Sequence, residues 1–208
     1  AMRKFFFILL LCFFSFLAKS YHITGGEMFY TYNGLSNGQN SYTVTLKLFM
    51  RCNSGRQFPD PAIISVFNKL SFERVSDISV ALSRRETISI ASSDPCISDP
   101  PTVCYEVAYY TFSVSLPVNQ AGYILASEVN YRIRGITNIN SSQVGATYSC
   151  EIPGSVPVAD GYTNISAVFT GSDLVVVCAN NFFSYSFAAK DDDGDLLRYS
   201  FCSAFAST

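Results

Sequence analysis

Tryptophan is absent from the 208 residues, and histidine occurs once, at His22. Without further histidines the body of the chain cannot assemble a Ser-His-Asp triad, a multi-histidine zinc centre or a His-dependent metalloprotease motif. Charge is also scarce: Asp, Glu, Lys and Arg make up 14% of the chain, with 14 bases against 16 acids. Three of those bases, Arg3, Lys4 and Lys19, stand in the first 20 residues and none of the acids does, so residues 21–208 hold 11 bases and a net charge of −5. No basic face is left to neutralise a phosphate backbone, which argues against nucleic-acid binding. The chain also lacks a long apolar helix face, a repeat of fixed period and a low-complexity tract.

A long hydrophobic run is present near the start. Arg3 and Lys4 precede FFFILLLCFFSFLA, residues 5–18, in which Ser15 is the only polar residue. Fourteen residues is short for a bilayer span of about 20 but suits the core of a secretory signal peptide, about 7–15 residues. Ala18 and Ser20 put small residues where a signal peptidase reads, so residues 1–20 are expected to be removed after Ser20. The mature chain is then expected to be secreted or at the cell surface, with no transmembrane span. Cys12 leaves with the peptide, and Cys52, Cys96, Cys104, Cys150, Cys178 and Cys202 remain. An even count in an exported chain points to disulfides. Cys96 and Cys104 close the short, proline-bearing loop CISDPPTVC and are the first expected pair. The remaining connectivity is open. The two-to-four-residue gaps of zinc thiolate sites are absent.

Strand signals dominate the rest. Ser41 to Met50 alternates Tyr42, Val44, Leu46 and Leu48 with Thr43, Thr45 and Lys47, the period of two of a half-buried strand. Further strands are expected at Met28–Tyr32, Ile63–Phe67, Thr87–Ala91, Val103–Leu116, Gly122–Ile133, Ala146–Ile152, Leu174–Cys178 and Phe182–Ala188. In Glu73–Ser83 the apolar residues fit both helical and strand spacing, and strand is preferred. Turn chemistry at Asn33-Gly34, Asn37-Gly38, Asn53-Ser54-Gly55, Pro59-Asp60-Pro61 and Asp160-Gly161 separates these runs. The pattern is all-β. Residues 21–154 are expected to form an immunoglobulin-like or related β-sandwich. The Pro- and Gly-rich stretch PGSVPVADG is expected to be a boundary, which leaves 155–208 too short to close a second sandwich alone.

The opening HITGGEMFYTY, the strand TVTLKLFMRCN, then DPCISDPPTVCYEVAYYTFSVSLP, GYILA, VGATYSCEIPG and FAAKDDDGDLLRYSFC follow one another in a distinctive order. In these motifs residues 21–208 resemble the N-terminal region of large exported PKD-domain, or gliding-motility-associated C-terminal-domain, proteins of gliding bacteria. The resemblance implies a long adhesin-like surface or secreted chain of β-rich modules with a C-terminal domain for type IX export. Two departures stand out. The family's Arg-Cys-Cys-Arg-Asn run is replaced by Val129, Asn130, Tyr131, Arg132 and Ile133, and the chain stops at Thr208 without a sorting domain. A fragment of a longer reading frame is therefore expected, with 155–208 the opening strands of a cadherin-like or PKD-like module.

The family's Ala-x-Asp-x-Asp-Gly-Asp-x-Leu-x-Tyr-Ser falls here on Ala189, Asp191, Asp193, Gly194, Asp195, Leu197, Tyr199 and Ser200. This is similar to the calcium-binding turn of cadherin-like modules. Asp191, Asp193 and Asp195 are the expected ligands for Ca²⁺, which takes about six to eight hard oxygens, while Asp192 is expected to face solvent. The alternative is a solvated turn in which the aspartates cap backbone amides. It is not an EF-hand, because Gly194 and Cys202 stand at the wrong offsets from Asp191. Cys178 and Cys202 flank this unit on expected neighbouring strands and form the second expected disulfide.

His22 and Glu27 read as structural. Glu73, Glu106, Glu128 and Glu151 could supply a glycosidase pair, although nothing in their local sequence selects two. The function expected is therefore non-enzymatic: an adhesive or structural module facing an extracellular protein or polysaccharide. The rival is a carbohydrate-binding accessory module of a polysaccharide-active enzyme.

Overall fold

The computed structural model describes residues 23–89, 103–130, 132–133, 136, 144–154, 164–178 and 180–203. The expected signal peptide, His22 and Cys96 lie outside them. The chain runs through β1 (Ile23–Ser36), β2 (Gln39–Arg51), β3 (Ala62–Asn68), β4 (Arg74–Val80), β5 (Arg84–Ser89), β6 (Cys104–Pro117), β7 (Gly122–Val129) and β8 (Ala146–Pro153). Asn37 and Gly38, at φ 52° and 73°, form the two-residue turn between β1 and β2. Paired left-handed residues of this kind match the twist of the flanking strands. Glu73–Ser83 contributes β4, as the strand reading of its alternation expects.

Among the described residues these eight strands pair antiparallel, in two four-stranded sheets of order β1-β2-β6-β5 and β4-β3-β7-β8. This is the strand order of an immunoglobulin-like sandwich, with an ABED sheet facing a CFG sheet extended by one further strand. Tyr123, near the start of β7, donates its hydroxyl to the Pro117 carbonyl at 2.9 Å, the tyrosine corner of such folds. The inward positions of β2 are Tyr42, Val44, Leu46, Leu48 and Met50, and all are buried. They join Ile64, Val66, Tyr110, Leu125 and Ile152 in one core. The buried Tyr110 hydroxyl reaches the Pro59 carbonyl at 2.5 Å, so this ring brings no unpaired polar atom into the core.

Three expectations are corrected. Cys104 is bonded to Cys52, not to Cys96. The reason is register: β2 pairs with β6 so that Arg51 faces Tyr105, and the next opposed residues are Cys52 and Cys104, with Cα atoms 5.5 Å apart. Cys178 and Cys202 are not joined to one another; Cys202 is exposed. Nor do Leu174–Cys178 and Phe182–Ala188 form strands. The ladder of this region is two residues long, Val168–Phe169 (β9) against Ala189–Lys190 (β10). Val175 and Val177 stay exposed, as do Phe182, Phe183 and Phe187, so alternation there finds no described partner strand. Among the described residues no helix is long and apolar enough to cross a membrane.

Candidate functional site

The aspartate turn follows β10 directly. One oxygen of Asp191, Oδ1, accepts the backbone N–H groups of Asp193, Gly194 and Asp195 at 3.2, 3.0 and 3.1 Å. That wrap needs Gly194 at φ 86°, a conformation costly for residues with a Cβ. It brings one carboxylate oxygen from each of Asp191, Asp193 and Asp195 within 4.8 Å of the others. Asp192 turns away, as expected, and pairs with Lys190 in solvent.

The second and third carboxylates hold another part of the chain. Asp193 Oδ2 accepts the Ile165 N–H at 2.7 Å, and Asp195 Oδ2 accepts the Asn164 side-chain amide at 2.9 Å. Asn164 Oδ1 in turn accepts the Tyr30 hydroxyl. Beside it, Ser166 pairs with both main-chain groups of Tyr30: its hydroxyl accepts the Tyr30 N–H and its own N–H reaches the Tyr30 carbonyl, each at 3.0 Å. Residues 164–166 thus strap the acidic turn to β1, the outer strand of its sheet. Sequence reasoning named the aspartates but missed this strap; the Asn164-Ile165-Ser166 triplet reads as a glycosylation sequon, and its amide is already engaged.

The electrostatics of the turn are those of crowded carboxylates. A hydrogen bond shared with Asp191 holds Asp193 above the ordinary aspartate range, and the same bond, with the surrounding amides, holds Asp191 below it. The donor set fits a hard divalent cation. Asp191, Asp193 and Asp195 each offer one carboxylate oxygen, and 4.8 Å is within the span of ligands that share one Ca²⁺ at about 2.3–2.6 Å.

A second feature lies on the outer face of the β1-β2-β6-β5 sheet. A cavity of about 500 Å³ opens between Gly25, Phe49 and Tyr105 on the sheet and Phe169, Tyr185 and Phe187 from the C-terminal segment. At its margin Lys47 donates to Glu27 Oε1 at 3.1 Å and to Asp173 Oδ2 at 2.7 Å, with its ammonium 4.9 Å from the centre of the Phe49 ring. Burial opposes the charge on Lys47, but the two carboxylates overcome it and hold its pKa above the usual lysine value. The alternating pattern places Lys47 on the wet face and gives no sign that a distant segment covers it. The aromatics are not a coplanar row on one sheet, since Tyr185 and Phe187 meet at 82°.

The scattered glutamates that have polar partners each have a different one. Glu106 pairs loosely with Arg85 on β5, Glu151 pairs with Lys69 at 2.7 Å, and Glu73 bonds Ser71. None of these, nor Glu128, lines the cavity. Cys150 is buried on β8, and burial pushes its thiol up to about 12, which makes it an inert core residue. Compared with known proteins, the chain matches no family model, no curated protein and no solved structure.

Proposed function

We propose that the chain is a non-enzymatic module of an exported, adhesin-like protein, a stapled β-sandwich that faces an extracellular protein or polysaccharide, with Ca²⁺ as its structural cofactor. The resemblance to PKD-domain and gliding-motility-associated proteins supports this reading, as does the apolar leader in residues 5–18. The observation that carries it is the strap. Asp193 and Asp195 grip Ile165 and Asn164, and Ser166 is laid against Tyr30 of β1. Asp191, Asp193 and Asp195 would hold the ion, whose charge offsets the repulsion among the three carboxylates. A loop that repels itself without the ion then becomes a fixed joint between the sandwich and the segment behind it.

Calcium titration of the full chain tests the reading. An extracellular site with Kd near about 0.1 mM gives about 2.7 kcal/mol of stabilisation at a hundredfold excess, a rise of several degrees in Tm. Asp193→Ala is expected to abolish the rise. A Tm that stays flat through about 10 mM calcium removes the ion from the proposal.

A further inference from the structure

The cavity on the outer sheet face has a wall chemistry of its own. At about 500 Å³ it matches small-ligand sites, which run from about 300 to 1,000 Å³, and it has room for one or two sugar rings. Phe49 and Tyr105 on one side and Phe169, Tyr185 and Phe187 on the other offer apolar ring surface. Tyr185 and Phe187 stack edge to face, centroids 4.9 Å apart, so their faces point in different directions and can meet a ligand from two sides.

The polar groups narrow the choice. Lys47 occupies one oxygen of Glu27 and one of Asp173, and the second oxygen of each carboxylate has no partner among the described residues. The three charges leave a net −1. That surplus repels phosphate, sulfate and uronate groups. An ammonium ligand is disfavoured as well, because the Lys47 ammonium already stands between the two carboxylates. Hydroxyls can donate to the open oxygens without displacing it, and a hydroxyl donor to a charged acceptor makes a strong hydrogen bond. A ligand with O–H donors on its edge and an apolar C–H face for the rings is a neutral pyranose.

We propose that this cavity binds a neutral saccharide unit, held by the open oxygens of Glu27 and Asp173 and sandwiched by Phe49, Tyr105 and Phe187. The site goes beyond the adhesive reading above and does not depend on the ion, since no residue of the aspartate turn lines it.

The test titrates the full chain with glucose, mannose, galactose, N-acetylglucosamine and their α1,4- and β1,4-linked dimers by calorimetry, once with calcium and once with EDTA. At least one sugar is expected to bind in both buffers with Kd on the order of 1 mM, the strength small ligands reach. Phe187→Ala and Asp173→Asn are each expected to weaken binding by about tenfold. Phe187 is 56% exposed and outside the sandwich core, so its truncation should leave Tm unchanged. The proposal is overturned if no sugar binds at about 20 mM, if galacturonate or choline binds as well as the best neutral sugar, or if both variants bind like the parent. Because binding is read in EDTA as well, its failure is distinct from failure of the calcium site.

Discussion

Tyr42, Tyr148 and Cys150 are three acids whose neutral forms the sandwich holds. Burial pushes both tyrosines from 10.0 up to about 12 and the thiol from 9.0 to about 12. A phenolate or thiolate forms sooner in the unfolded chain, which therefore binds fewer protons than the folded one above pH 9. The stabilisation from these groups is whole below that pH and declines as pH climbs toward 12. The urea midpoint is accordingly expected to fall steeply between pH 9 and 12, and Tyr148→Phe should flatten part of the fall. A constant midpoint across that range contradicts the burial described for these side chains. At the same scale, Tyr42 and its alternating partners were readable in the sequence because side-chain period depends on the strand alone. Lys47 was not: its 12% side-chain exposure arises from a segment more than 120 residues away, and no local pattern encodes it.

Strand pairing decides what was legible among the elements. The Asn37-Gly38 turn and the eight sandwich strands follow from local signals, but the disulfide does not. Cys96 is nearer in sequence to Cys104, and short-loop reasoning favoured it. The bond goes instead to Cys52 because the β2-β6 register sets the two residues opposite one another at the ladder's end. Choosing it requires knowing that β6 pairs with β2 and at what offset. A bond closing a loop of 52 residues contributes about 4 kcal/mol in the chain-entropy model. Cys52→Ser with Cys104→Ser is expected to lose that amount in urea unfolding, and reductant should do the same to the parent. Equal stability with and without reductant would count against the bond. The expected strands at Leu174–Cys178 and Phe182–Ala188 failed for the converse reason, since alternation marks the capacity to pair and a ladder needs a partner.

Across the whole molecule, order is uneven. The sandwich has a continuous core of side chains that are mostly under 5% exposed, whereas residues 164–203 expose Phe182, Phe201 and Leu196 at 97%, 98% and 85%. Their polar attachment to the sandwich runs through the strap at Tyr30 and the Lys47–Asp173 pair, and the aspartate turn is held only through residues 164 and 165 of the same segment. Segments with few buried apolar contacts open at low free-energy cost. Limited proteolysis is expected to cut within residues 164–203 first and to leave the sandwich intact. Cleavage inside β2 or β6 at comparable rates would contradict this division. The all-β class was legible from composition and period, but the docking of the acidic turn on β1 was not, because the three residues that make it read locally as a sequon and carry no sign of a partner more than 130 residues away.

The Cys52–Cys104 bond also governs how the molecule answers a mechanical load. When the two ends are drawn apart, tension passes across the sulfur bridge and bypasses everything between. The 52-residue span cannot unravel while the bond holds, which withholds roughly 180 Å of contour length from any extension. Reducing the bond is therefore expected to lengthen the extension seen on forced unfolding by that amount, and an unchanged extension would contradict it.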